Sequence, residues 1–357
     1  MMRPETVFHE AWRNVQSGAS KASWLALALI LAIALTSSTE VLTVSALDRQ
    51  ARDYYASGAS IRVLKTEGTV DPQRCEALAK TTGVQSAGAL KAASPIHISS
   101  LPGITTPSFE TTIGLQAVLG LDTTLDQGVL ISEPLAKRWR VRSGESVETD
   151  RGPMNIAAVF PYSDSDGRDS RLANAVLIPT LGEGSFDECW ADVWPSTAAF
   201  DSLLRGSQLA VTRENVAIVS TLNPTLGLVF TGADEYQNRL TRYAPLASGA
   251  LGLVISLLGG RRRRLEYASS RHAGVARADL TLIALVESAI WAGVSSSIAT
   301  ALVLVMARFA APNVADPLYC QLVIIGAAGF LGATTGGLLA AASSRESRLF
   351  TYFKERN

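Results

Sequence analysis

Four long apolar runs constrain this 357-residue chain more than any other feature. A lipid core offers no water to exposed backbone groups, so a run of about 20 apolar residues reads as a membrane-spanning helix. Trp24–Val44 is the first run, Tyr243–Leu258 the second, Leu280–Ala307 the third and Leu322–Ala342 the fourth. The second is short unless Leu240–Arg242 extend it, with the arginine snorkelling to the interface. The expected fold is an α+β membrane protein with transmembrane helices over 22–45, 243–259, 280–307 and 321–342. Residues 46–242, between the first and second spans, read as one large mixed α/β extracytoplasmic domain. The first three runs carry little charge, and Glu287 is the main exception.

Basic residues orient these spans, because Lys and Arg accumulate on the cytoplasmic side. Arg3, Arg13 and Lys21 lie in 1–21, six arginines fill 260–279, and Arg345, Arg348, Lys354 and Arg356 lie in the 343–357 tail. The 308–320 loop holds Arg308 alone. Both termini and the arginine segment are therefore expected in the cytoplasm of a multi-pass cell-membrane protein, with 46–242 outside. A competing reading makes "KASWLALALILAIALTSSTEVLTVSA" a cleaved signal peptide ending at Val44-Ser45-Ala46. The run is long for that role, and Val7, Phe8, Ala11, Trp12 and Val15 upstream share one face of an amphipathic helix suited to the membrane interface. Cleavage would leave the other spans oriented as before.

Within the outer segment, "IRVL" (61–64) alternates as a strand. Asp71-Pro72 opens a helix that runs to Thr81 and stops at Gly83, and "VQSAGAL" follows as a strand. Residues 128–160 read as strand, short helix (Glu133–Trp139), turn at Ser143-Gly144 and two strands. A strand, helix, strand pattern recurs over "DVWPSTAAFDSLLRGSQ" and "NVAIVSTL".

Catalytic chemistry finds no foothold. His9, His97 and His272 are scattered without paired metal-ligand spacing, and no phosphate-binding glycine loop is present. "DSDGRD" (164–169) imitates a calcium loop, but Arg168 and Asp169 stand where a ligand and a glycine belong, so a solvated turn is the reading. No metal site, catalytic residue or cofactor is therefore assigned to this chain. With 32 Lys+Arg against 32 Asp+Glu, it lacks the basic footprint of a nucleic-acid binder. Cys75 and Cys189 share the outer segment as a candidate disulfide pair that spacing alone does not establish, and Cys320 reads as free.

The arginine segment "RRRRLEYASSRHAGVARADL" (261–280) is the informative stretch. A short helix joined to two spans acts as a lever, and it needs exposed charge to dock a soluble partner. It also needs a compact residue, Gly274, where backbones approach. Arg261–Arg264 also suit a plainer role, enforcing topology and touching anionic lipid headgroups. Glu266 and Arg271 are five apart, poor spacing for a pair within one helix, which favours partner docking over a surface pair. Glu287, about two turns inside the third span, must face protein, be protonated or reach the interface. It reads as a polar tie to a neighbouring helix or as a transmitter of motion. Gly332 and Gly336 have GxxxG spacing for close helix packing, within the chain or across a dimer.

Here the chain resembles MacB/FtsX-type ABC permeases. Their hallmark is a basic run, a Glu, an Arg five on, a Gly three further, a second basic position and a Glu thirteen past the glycine. Arg261–Arg264, Glu266, Arg271, Gly274, Arg277 and Glu287 fall on that pattern. "GVLISEPLAKRWRVRSGESVET" is similar to an outer stretch of the family, through Ala136-Lys137-Arg138 and Gly144, and the order of spans is similar too. Ser269, Ser270 and His272-Ala273 depart from its apolar residues. The resemblance implies a permease subunit that transmits motion, partnered by a cytoplasmic dimer of ATPase subunits that bind ATP and Mg and contact Arg261–Arg264, Glu266, Arg271, Gly274 and Arg277. It implies a second permease subunit, identical or not, and an extracytoplasmic protein is a further candidate partner. Cargo would be a peptide, a lipid-linked molecule or a lipoprotein. An FtsX-like regulator of a cell-wall hydrolase and an ATPase-independent receptor or scaffold are the alternatives.

Overall fold

The computed structural model describes all residues except 1–2, 19–20, 100–102, 122–124, 126, 163–166, 196–198, 210–216, 311, 313–314 and 345–357. The basic tail from Arg345 onward and the first half of the calcium-like turn thus lie outside the described residues. In chain order the elements are α1 (Pro4–Gln16), α2 (Ala22–Ala56), β1 (Ile61–Val70), α3 (Pro72–Ala77), β2 (Val84–His97), β3 (Thr105–Thr112) and α4 (Gly114–Val118). Then come β4 (Val129–Ser132), α5 (Glu133–Trp139), β5 (Ser146–Thr149), β6 (Gly152–Phe160), β7 (Val176–Thr180), β8 (Phe186–Val193), α6 (Phe200–Arg205) and β9 (Ile218–Thr221). The chain closes with α7 (Gly232–Asn238), α8 (Ala244–Arg262), α9 (Arg264–His272), α10 (Arg277–Ala310) and α11 (Ala315–Ala342). Two compact units result, a helical unit of residues 1–49 and 233–357 and a sheet unit of residues 50–232.

Among the described residues, four helical stretches are long and apolar enough to cross a membrane: Ala22–Ala56, Gly232–Arg262, Arg277–Ala310 and Asp316–Ala342. Their ends differ from those read by hydropathy. The third helix reaches beyond 280–307 on both sides, to Arg277 and Ala310, and helix is present again from Ala315, inside the expected 308–320 loop. Asp279 in the first turn and Arg308 in the last explain part of this. Charges of those signs complement the helix dipole, so helix continues where apolar sequence stops.

Small residues set the closest packing of the helical unit. A Cβ added at Gly332 would overlap the Gly249 carbonyl oxygen, and one at Gly336 would strike the Leu253 backbone. α8 and α11 therefore pack backbone to backbone, and the Ser248 hydroxyl donates across the contact to Ile325 O at 3.0 Å. This glycine contact lies within one chain. On α1, Val7 and Ala11 are buried in a cluster with Ile283 of α10. The Phe8 and Trp12 rings stack at 6.5 Å on the exposed side.

The sheet unit is a nine-stranded mixed sheet, ordered β5-β6-β4-β7-β3-β2-β8-β1-β9. Most neighbours are antiparallel, but β3 with β7 and β4 with β6 are parallel. One core cluster centres on Trp190, Phe160, Leu130 and Leu177, a second on Leu64, Phe186 and Val70, and a third on Ile131, Leu135 and Ile156. The Asp71 carboxylate accepts from the N–H groups of Gln73 and Arg74, with Pro72 in the first turn, so α3 starts as its sequence dictates. It tightens into a 3-10 turn over Leu78–Lys80 instead of running as α-helix to Thr81. Cys75 of α3 and Cys189 of β8, both fully buried, form a disulfide with Cα atoms 5.7 Å apart. In the calcium-like turn, Asp169 pairs with Lys65 at 2.9 Å and Arg171 at 2.7 Å, and Arg168 donates to the Ser57 carbonyl at 2.9 Å. Those groups are spent on structure.

Candidate functional site: the arginine segment and its anchors

α8 ends in Arg261 and Arg262, both exposed. Arg263 breaks the helix with φ −98° and ψ 8°, and α9 starts at the next residue. After His272 the chain reverses at Gly274, whose φ is +92°. Within the chain, nothing lies within 4 Å of where a Gly274 Cβ would be. The glycine supplies the left-handed conformation that ends a helix cheaply. The Val275 N–H returns to the Ser270 carbonyl at 3.1 Å, and α10 begins at Arg277.

Three arginines fasten this segment to the rest of the helical unit. Arg263 does not point outward with its neighbours. Its Nε donates to Glu266 Oε2 at 2.8 Å, its Nη1 donates to Glu287 Oε1 on α10, and its guanidinium sits 5.3 Å from the Tyr267 ring centre. The Arg263 and Glu287 side chains are 14% and 5% exposed. The Arg271 guanidinium donates to the Ser344 carbonyl at 2.7 Å, and Arg277 donates to the Ala342 carbonyl. These oxygens are at and just beyond the C-terminal end of α11, where backbone acceptors lack helical partners and the dipole favours cations. Tyr267, also buried, packs with Ala284 of α10 and Ala341 of α11. Glu266, which accepts from Arg263, is exposed.

The electrostatics favour a permanently charged joint. Burial alone would push the Arg263 guanidinium down, but Tyr267, Glu287 and Glu266 outweigh it and hold its pKa above the ordinary value. Burial pushes the Tyr267 phenol up as well. Beneath the joint is a cavity of about 20 Å³, lined among others by Leu25, Trp291, Glu287 and Gly337. That is room for about one water molecule. A largely buried pair of this kind is held firmly, because an uncompensated charge there is expensive.

A second buried pair escaped the sequence reading. Glu40 of α2 is 1% exposed, and the Arg239 Nε and Nη2 both donate to its Oε1, at 3.0 and 2.8 Å. An ionisable residue inside an apolar run signals such a tie, and Glu40 lies within the first run as Glu287 lies within the third. In the sheet unit, His97 Nδ1 is 3.2 Å from Asp150 Oδ2 and its Nε2 is 3.2 Å from Thr105 Oγ1. The order of groups imitates a hydrolase relay, but all three residues are exposed, where water screens the interaction. Among the described residues no three His, Cys, Asp or Glu side chains converge as a metal site.

No protein-family profile and no curated protein sequence matches the chain. Solved structures do. The periplasmic region of MacB from Actinobacillus actinomycetemcomitans is similar over 46% of this chain and 89% of its own, at 12% identity and a TM-score of 0.34. A domain assigned to a permease protein from Porphyromonas gingivalis is similar over 52% of this chain and 99% of its own, at 15% identity and a TM-score of 0.33.

Proposed function

We propose that this chain is the permease subunit of an ABC transporter of the MacB/FtsX kind, in which α9 is a lever gripped by a separate ATPase. The observation that carries this reading is the anchoring of α9. Arg263 ties it to Glu287 of α10, and Arg271 with Arg277 ties the segment to the end of α11. A force applied at the exposed Glu266 is therefore delivered to α10 and α11 together. A loose surface loop would dissipate it.

The four apolar helices cross the cell membrane with α9 on the cytoplasmic side, as the arginine distribution favours. The Cys75–Cys189 bond supports an oxidising location for the sheet unit, outside the cytoplasm. The chain passes from the helical unit to the sheet unit at residues 49–50 and returns at 232–233. Those connections pass the motion outward, and ATP and Mg are handled by the partner. Glu266, Arg261 and Arg262 are the docking residues, while Arg263, Arg271, Arg277 and Glu287 position them. The cargo is handled outside the cytoplasm and is a peptide, a lipid-linked molecule or a lipoprotein, moved by export or extraction.

Tagged full-length protein, purified from membranes, is expected to bring down an ABC-type ATPase. Glu266→Lys should release that ATPase while the permease remains folded. Recovery of no ATPase from either protein would overturn the reading in favour of a receptor or scaffold. ATPase binding with normal transport but lost cell-wall hydrolase activity in a deletion strain would turn it into a regulator.

A further inference from the structure

The sheet unit carries a second, differently placed group of arginines. We propose that Arg138, Arg140 and Arg142 form a docking surface for a carboxylate-rich segment of an extracytoplasmic protein partner. Every other described arginine of the sheet unit is engaged. Arg62 bonds Asp201, Arg74 bonds Asp71, and Arg171 bonds Asp169 and Glu188. Arg151, Arg168 and Arg205 donate to backbone carbonyls, and Arg52 also has a partner. Even Lys137, beside the group, pairs with Glu133 at 2.7 Å. The guanidinium groups of Arg138, Arg140 and Arg142 have no bonded partner among the described residues, and all three residues are exposed.

Their placement is fixed rather than loose. Trp139 and Val141 alternate with the arginines and pack against the core cluster of Ile131, Leu135 and Ile156. The backbone is closed by Val141 N–H to Ala136 O at 3.1 Å, Gly144 N–H to Ile156 O at 2.7 Å and Glu145 N–H to Arg142 O at 3.2 Å. The Arg142 N–H donates to Glu145 Oε2 at 2.8 Å, which occupies that carboxylate locally. Arg140 ends α5 at φ 56°, ψ 42°, a left-handed position where glycine is the economical residue. An arginine stands there against its backbone preference.

A held backbone that presents three unpaired planar forks suits carboxylates, which such forks bind bidentately. A membrane surface is the weaker fit. Surface-binding segments insert apolar side chains, and here the apolar neighbours Trp139 and Val141 turn inward. This surface shares no residue with the ATPase contact and rests on the proposed function only for the placement of the sheet unit outside the cytoplasm.

The test uses full-length protein in lipid nanodiscs, with Arg261→Ala and Arg262→Ala in every sample to remove competing exposed arginines. A fluorescent deca-glutamate peptide is the probe, and vesicles containing phosphatidylglycerol form a second arm. Peptide binding should be saturable and weaken with salt. Arg138→Ala, Arg140→Gly and Arg142→Ala together should weaken it about tenfold or more, equivalent to about 1.4 kcal/mol, with the melting temperature not lowered. Lysine at the same three positions should restore only part of the affinity, because charge returns without the fork. Should the triple variant fold poorly, Arg138→Gln with Arg142→Gln makes the same comparison. Equal peptide binding by variant and parent, or arginine-dependent binding of vesicles but not of peptide, overturns the proposal.

Discussion

One guanidinium, that of Arg263, meets Glu266, Glu287 and the Tyr267 ring together. Removing one side of a buried ion pair leaves the other uncompensated, so Glu287→Gln should cost roughly 3 kcal/mol of stability. Thermal unfolding of the detergent-purified protein measures this. Arg263→Met combined with Glu287→Leu should recover most of that loss, since a buried pair replaced by apolar groups is often neutral, yet ATPase coupling should stay impaired. At Arg140 the sign reverses. Arg140→Gly should raise stability by about 1 kcal/mol, because glycine occupies the left-handed region without penalty, and the melting temperature reports it. At this scale the sequence was partly legible. Glu287 stood out as a lone carboxylate in its run, but Arg263 looked like its three neighbours, and nothing in "RRRR" tells which member turns inward. That choice is made by where α8 breaks.

Among elements, α8 and α11 pack with their backbones in contact, because glycines let the two helices touch. Gly332→Val should force the helices apart at a cost of about 3 kcal/mol, read as a lower melting temperature and reduced yield of folded protein. The Cys75–Cys189 bond ties α3 to β8 across 114 residues. Replacing both cysteines with alanine should lower the stability of the sheet unit by roughly 3–5 kcal/mol, seen as an earlier unfolding transition that reductant shifts in the parent but not in the variant. Hydropathy made the long helices readable, and the Asp71-Pro72 start of α3 was equally plain. β3 and β7 were not. Pro107 and Pro179 interrupt them, and proline ordinarily demotes a strand. Here β3 tolerates Pro107 beside a register irregularity opposite Ala93–Ile96, and pairing with β2 and β7 overrides local preference.

For the whole molecule, acid is a graded test of the sheet unit. Burial works against ionisation of Asp169, but hydrogen bonds from Arg171 and Lys65 outweigh it and hold the carboxyl well below the ordinary range. A pKa lower in the folded than in the unfolded chain gives stability that is complete above the unfolded value, near 4, and drains away as pH falls toward the folded one. The melting temperature should therefore drop below pH 4, and Asp169→Asn should flatten that drop while starting lower at pH 7. Sidedness is tested in intact cells, where a cysteine at position 271 should resist a membrane-impermeant label that modifies one at position 138. Loss of that contrast would remove the basis of the lever. The anchoring of α9 also has an evolutionary reading. Arg271 and Arg277 grip main-chain oxygens of Ser344 and Ala342, so the grip itself does not depend on which side chains those two positions carry. Across related chains these two arginines should be retained with no correlated substitution at their partners, whereas residues 263 and 287 should change in concert or not at all.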